Sequence, residues 1–173
     1  MNKESSKHGI NCKLGVDENQ IKILFVCHGN ICRSPMAEFV LKDMVEKMGL
    51  KDKFNIESAA TSREALGEPV HRGTRKILAE HGISCDGKYA VQLKASDYDK
   101  YDFIIAMDSY NIENIKYIIP EDPESKISKL LYFTDEPGDI SDPWYTGDFK
   151  RTWQDITKGC KGFLDFLSQA DYI

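Results

Sequence analysis

Residues 21–36 read Ile-Lys-Ile-Leu-Phe-Val-Cys-His-Gly-Asn-Ile-Cys-Arg-Ser-Pro-Met, and their character changes twice. From Ile21 to Val26 the run is apolar apart from Lys22 and rich in β-branched and aromatic side chains, the composition of a strand buried on both faces. Cys27-His28-Gly29-Asn30 then suits a tight loop. Past Arg33, apolar residues recur at Ala37, Val40, Leu41, Met44, Val45 and Met48, the spacing of one helix face. Ser34 suits an N-cap, Pro35 the first helical position and Gly49 the C-terminal stop. The expected unit is a strand, a seven-residue loop and a helix, with a cysteine opening the loop and an arginine closing it.

A loop wrapped round a helix N-terminus aims backbone N–H groups inward, and the helix dipole adds partial positive charge. Such a cup holds a tetrahedral oxyanion. The same field favours a Cys27 thiolate, of the kind whose pKa falls to roughly 3.5–7.5 at activated sites. Arg33 offers a planar fork to two phosphate oxygens. A nucleophile, an arginine clamp and an anion cup in so short a stretch point to attack on phosphorus. The nucleotide-binding loop G-x4-G-K-[ST] is excluded, because a second glycine and the lysine are missing.

Outward from this unit, strand and helix patterns alternate. Residues 54–59 alternate like a second strand, and Pro69 opens a helix carrying Val70, Thr74, Ile77, Leu78 and His81 inward until Gly82. Residues 94–101 look helical, and 102–107 form another buried strand. Asp108-Ser109-Tyr110-Asn111 caps a helix running to about Ile119. Ile127, Leu130 and Leu131 mark a short last strand, followed by an acidic loop over 134–147. A final helix places Phe149, Trp153, Ile156, Cys160, Phe163 and Leu167 on one face. The alternation predicts a mostly parallel sheet with helices on both faces, and a site at the carboxyl end of its first strand.

The 173 residues make one domain, with 28 acidic against 23 basic side chains and a net charge of −5. That balance, without a basic block, argues against nucleic-acid binding. Apolar runs are too short to span a bilayer and no secretory h-region is present, so no membrane partner is expected. Five cysteines, an odd number, suit free thiols in a reducing cytoplasm. Cys27, His28 and Cys32 lack a second ligand pair at zinc-like spacing, so no metal is expected. Residues 1–20 are polar and aperiodic, read as a flexible extension with Cys12 a bystander; 21–173 are the domain, expected to act as a monomer. Cys85 and Cys160 read as core thiols, and His28, His71 and His81 as surface or partly buried residues without chemistry.

Expelling the oxygen leaving group of a phosphate ester needs a proton donor, and the acidic loop offers Asp135, Glu136, Asp139, Asp142 and Asp148. Asp142 is favoured, because Pro143 stiffens its backbone while Trp144 and Tyr145 can flank an aromatic leaving group.

The stretch 27–35, with Gly29, Asn30, Cys32, Ser34 and Pro35 added to the Cys-x5-Arg spacing, closely resembles the signature loop of the low-molecular-weight protein tyrosine phosphatases. Asp142-Pro143-Trp144-Tyr145 is similar to that family's general-acid loop. The resemblance runs from Ile21 to about Leu167. It implies a three-layer sandwich around a four-stranded parallel sheet in the order 2-1-3-4. It implies hydrolysis of protein phosphotyrosine without metal or organic cofactor. Cys27 would attack phosphorus, Arg33 and the loop His28, Gly29, Asn30, Ile31, Cys32 and Ser34 would hold the phosphoryl group, and Asp142 would serve as acid and then base. Ser34 would donate to the Cys27 sulfur, with Ser58 and Asp108 supporting the loop. Two features depart from the pattern. The supporting histidine of a His-x-Ala-Arg stretch is replaced by Asp86-Gly87-Lys88-Tyr89-Ala90, and 61–65 lacks a cleft tryptophan, which leaves Trp144 as the main aromatic wall.

Three other readings are weighed against this one, two on the same fold and one from a different class. A thioredoxin-coupled arsenate reductase would need a cysteine pair after the third strand, and 106–111 has none. A phosphoarginine phosphatase resembles the same loop with threonine at the place of Ile31. A catalytically dead phosphoprotein-binding module would have no need of Cys27, Arg33 and Asp142 together. Cys32, five positions after Cys27 in a loop that curls back, is expected to trap the oxidised nucleophile as a disulfide.

Overall fold

The computed structural model describes residues 19–173, so nearly all of the expected extension, Cys12 included, lies outside the described residues. The sheet contains β1 (Ile21–Cys27), β2 (Phe54–Ala60), β3 (Phe103–Ala106) and β4 (Ile127–Lys129). All pairs are parallel, in the order β2-β1-β3-β4. The helices are α1 (Arg33–Lys47), α2 (Arg72–Glu80), α3 (Asp97–Lys100), α4 (Ser109–Ile118), α5 (Pro143–Thr146) and α6 (Phe149–Gln169). Among the described residues no helix is long and apolar enough to cross a membrane.

Strand alternation builds the three layers. Ile21, Ile23, Phe25 and Cys27 point to one face of β1 and pack with Met36, Val40 and Leu41 of α1, Leu78 of α2 and Phe163 of α6. Leu24 and Val26 point the other way, into a second cluster with Ile104, Ala106, Ile115 and Ile119. Central β1 is thus covered on both faces, as its unbroken apolar run demands. Phe25 is fully buried, and Phe25→Ala would cost about 3–5 kcal/mol. Because Cys27 ends the odd-numbered set, its thiol emerges on the α1 side, over that helix's N-terminus.

Several boundaries differ from the pattern. β4 stops at Lys129, and Leu130 and Leu131 enter a 3-10 turn (Leu130–Phe133) buried against α6. There Gly159 is required: a Cβ would meet Leu130 Cγ at 2.5 Å. α2 begins at Arg72 rather than at Pro69, because the His71 ring accepts the Gly73 N–H and caps the helix. His81 stays exposed, stacked on Trp153 with centroids 3.8 Å apart. Ser34 is not the N-cap of α1; the helix starts two residues earlier than expected, at Arg33 after Cys32, and the Ser34 hydroxyl is engaged elsewhere.

Candidate active site

The turn from β1 into α1 is made by Asn30, which takes a left-handed conformation at φ 57°. This bend brings its N–H to within 3.3 Å of Cys27 Sγ. The Asn30 amide then ties the loop together. Nδ2 donates to Ser34 Oγ and to Ser58 Oγ, both at 2.8 Å, and Oδ1 accepts the Val91 N–H at 3.1 Å. Ser34 Oγ lies 3.0 Å from Cys27 Sγ. The first turn of α1 holds no acidic side chain, so nothing offsets its dipole beneath the thiol.

Arg33 is 2 % exposed and its guanidinium is held by three groups. Nη1 donates to Asp108 at 2.5 Å and to the Ile140 carbonyl at 2.8 Å, while Nη2 is 3.3 Å from Asp142 Oδ2. Burial alone would pull this group down, but Cys27, the Asp108 hydrogen bond and Asp142 outweigh it and push its pKa up. Asp108 occupies the N-cap of α4 in a reciprocal capping box with Asn111. Capping and orienting Arg33 are therefore one role.

Asp142 caps α5 by accepting the Trp144 N–H at 3.0 Å, with Pro143 as the first helical residue. The other acidic candidates are engaged away from the thiol. Asp139 binds Lys129 and Ser109, Glu136 pairs with Lys158, Asp148 caps α6, and Asp135 is exposed. Asp142 alone of these five lines the cavity of about 200 Å³ over Cys27.

Cys32 also lines that cavity and is buried. Burial, then Cys27 and Asp142, push its thiol up to about 12, with Arg33 pulling the other way. Trp144 and Tyr145 stand at the rim, 61 % and 83 % exposed. Trp144 meets the ring of His71 edge-on at 5.7 Å, and His71 stacks on Phe149.

Sequence pattern did not point to everything here. Where a tryptophan was absent, Glu64, Ala65 and Glu68 line the wall, so this side is acidic rather than simply open. His28, expected to be idle, pairs with Glu64 at 3.0 Å. His71 reaches the loop directly, its N–H donating to the Ile31 carbonyl at 2.8 Å. These contacts join residues far apart in sequence, and no local spacing announces them.

The profile of the family "Low molecular weight phosphotyrosine protein phosphatase" matches residues 22–171. YfkJ of Bacillus subtilis, a low molecular weight protein-tyrosine-phosphatase, is 42% identical over 146 residues, covering 83% of this chain and 94% of YfkJ. The crystal structure of YfkJ superposes with a TM-score of 0.84 at 40% identity, over 87% of this chain and 96% of that one. SP-PTP of Streptococcus pyogenes gives 0.75 at 43% identity over 87% and 93%. DARP, a Drosophila arginine phosphatase, gives 0.76 at 30% identity over 84% and 97%. The chain belongs to the low molecular weight protein tyrosine phosphatase family.

Proposed function

We propose that this chain hydrolyses phosphotyrosine in proteins through a cysteinyl-phosphate intermediate, with residues 21–173 as the catalytic domain. The observation that carries the reading is one cavity of about 200 Å³ lined by Cys27, Arg33 and Asp142. Cys27 attacks phosphorus at the cavity floor as the bond to the tyrosine oxygen breaks. Nη1 of Arg33 is committed to Asp108 and Ile140, so the Nε and Nη2 edge is the fork for two phosphoryl oxygens once Nη2 exchanges its long contact with Asp142 for phosphate. Loop amides and the α1 dipole take the remaining charge. Protonated Asp142 gives its proton to the departing phenolate. As carboxylate it then takes one from the water that breaks the P–S bond, releasing phosphate.

Cavity depth favours a long substrate. Cys27 is 3 % exposed, so a phosphoryl group at the end of an aryl ring reaches it while one on a serine stem falls short. Ile31 in the lining supplies an apolar contact for that ring and no hydroxyl.

The test is hydrolysis of phosphotyrosine, phosphoserine and phosphoarginine peptides side by side. Phosphotyrosine should be cleaved far faster than either. A comparable rate on phosphoarginine would move the assignment to the activity in the name of the Drosophila neighbour. Tight binding without phosphate release would make the chain a recognition module. Within the favoured reading, Ile31→Thr should raise the phosphoarginine rate.

A further inference from the structure

The catalytic cavity is lined by an excess of negative charge. Glu64, Glu68 and Asp142 are in the lining, and the basic side chains there are Arg33 and His28. Arg33 is taken by Asp108 and Asp142, and His28 is bonded to Glu64. The Glu68 carboxylate has no partner among the described residues. Arg63 and Arg72, the arginines nearest to it in sequence, lie outside the lining.

On the phosphatase reading this arrangement works against the substrate. A phosphate ester brings a charge of about −1.5 to −2 at pH 7, and it must pass two carboxylates to reach Cys27. Stability does not ask for them either, because Glu64 is 76 % exposed, Glu68 is exposed as well, and exposed charges contribute little to the fold. The repulsion is relieved when a cation arrives together with the phosphate.

Beside the two carboxylates lies a shelf suited to a polypeptide. The Gly67 N–H donates to the Ala90 carbonyl and the Ala90 N–H to the Glu68 carbonyl, both at 2.9 Å, which sets residues 89–91 alongside the wall. Leu66, Tyr89 and Val91 are 42 %, 56 % and 50 % exposed. Three large apolar side chains left in water next to a cavity mouth mark a surface that another chain covers.

We propose that this wall selects phosphotyrosines with lysine or arginine beside them in the substrate chain, and that Glu64 and Glu68 are the specificity-determining residues. The occupant of the shelf is the segment of substrate protein next to the phosphotyrosine. The inference rests on the phosphatase reading and deepens it by naming the sequence around the phosphate. A basic segment is steered to the mouth by the field of the wall, and an acidic one is turned away. His28 already engages Glu64, so the unpartnered Glu68 takes the larger share.

Three phosphotyrosine peptides test it, identical except for lysines, alanines or glutamates on both sides of the tyrosine. At neutral pH and low salt, kcat/KM should fall in that order, by about two- to fivefold per step, the range of an exposed charge pair. Raising the salt should compress the series, because charges outside the core are screened. Glu64→Gln combined with Glu68→Gln should bring the three rates together, and Glu68→Lys should move the order toward the glutamate peptide. Both side chains are exposed, so these variants leave the core untouched. Equal rates in the wild type, or a lysine preference that persists in the double glutamine variant, overturn the proposal. The same peptides carrying a non-hydrolysable phosphonate are also titrated into the wild-type chain. If no ester is cleaved while the phosphonates bind in the same order, the phosphatase reading fails and the selection stands. If all three esters are cleaved alike, or the phosphonates bind without order or not at all, the selection is refuted.

Discussion

The loop of residues 27–34 and the loop of residues 134–147 face each other across one cavity and are held by different means. In the first, Cys27, Asn30, Cys32, Arg33 and Ser34 are all buried, and hydrogen bonds reach β2, α2 and the backbone at Val91. In the second, Ile140 and Pro143 are buried while most of the remainder is exposed. Its fixed points are few. Ile140 donates to the Met107 carbonyl at 2.9 Å and accepts from Arg33, and Asp139 is tied to Lys129 and Ser109. A dense buried network opens only at high free energy, whereas a loop on a few surface contacts opens cheaply. On the proposed mechanism the nucleophile side is thus set before substrate arrives, and the acid side is the part able to move around a leaving group.

That contrast can be broken most severely at Cys27. Cys27→Ser should reduce turnover of an aryl phosphate to background, since the alcohol is not ionised at the cup's floor, while vanadate still binds the intact loop. Residual turnover clearly above background would refute the cysteinyl-phosphate route. Next comes the mobile side. Asp142→Ala should slow hydrolysis of an ordinary phenol ester by about two to four orders of magnitude. The loss should shrink with a leaving group that needs no proton. A constant loss across leaving groups would mean that the exposed loop does not deliver the acid.

A third effect concerns reversibility rather than rate. Peroxide should convert Cys27 to a sulfenic acid, which Cys32 then traps as a disulfide, so that a dithiol restores activity. The Cys32 thiol, pushed up to about 12 by burial and then by its neighbours Cys27 and Asp142, is a poor nucleophile in the reduced protein. Trapping needs the Cys32 thiolate, so it should quicken as pH rises. Cys32→Ser should work when reduced and be lost irreversibly to the same peroxide. If mass spectrometry finds no Cys27–Cys32 linked peptide in oxidised protein, Cys32 only packs beneath the loop.

The two sides also differed in how legible they were. The nucleophile side is local: an apolar run, a cysteine, an arginine and a helical stripe sit within one stretch, and the parallel sheet order agrees with what the loop's resemblance implied. The acid side depends on distant pairings. Pro143, Trp144 and Tyr145 favour Asp142 over Asp139 in the sequence, but only the structure shows that Lys129 and Ser109 claim Asp139. Leu130 and Leu131 carry a strand-like composition but are drawn into a turn by the bare face of α6 at Gly159. Ser34 has the chemistry of an N-cap, yet the sulfur opposite claims its hydroxyl.

The smallest expected effect bears most directly on the contrast, because it loosens one side only. Asp139 accepts from Ser109 N–H at 3.0 Å and from Lys129 at 2.9 Å, and these hydrogen bonds hold its carboxyl below the usual range although burial pushes upward. A depressed carboxylate adds its tether above the ordinary pKa of about 3.9 and loses it as pH falls through the lower folded value. Near neutral pH the tether is therefore complete and invariant. Asp139→Asn keeps an oxygen for Ser109 but gives up the charge facing Lys129. An exposed pair is worth little, so kcat on an ordinary phenol ester should fall only about two- to fivefold. Lys129→Met should do the same, and the double variant no more than either alone. Backbone amides of residues 134–147 should exchange hydrogen faster, while those of residues 27–34 and the alkylation of Cys27 stay as they were. Were both loops to loosen together, the two sides would form one cooperative unit, and the division between a preset nucleophile and a movable acid would fail.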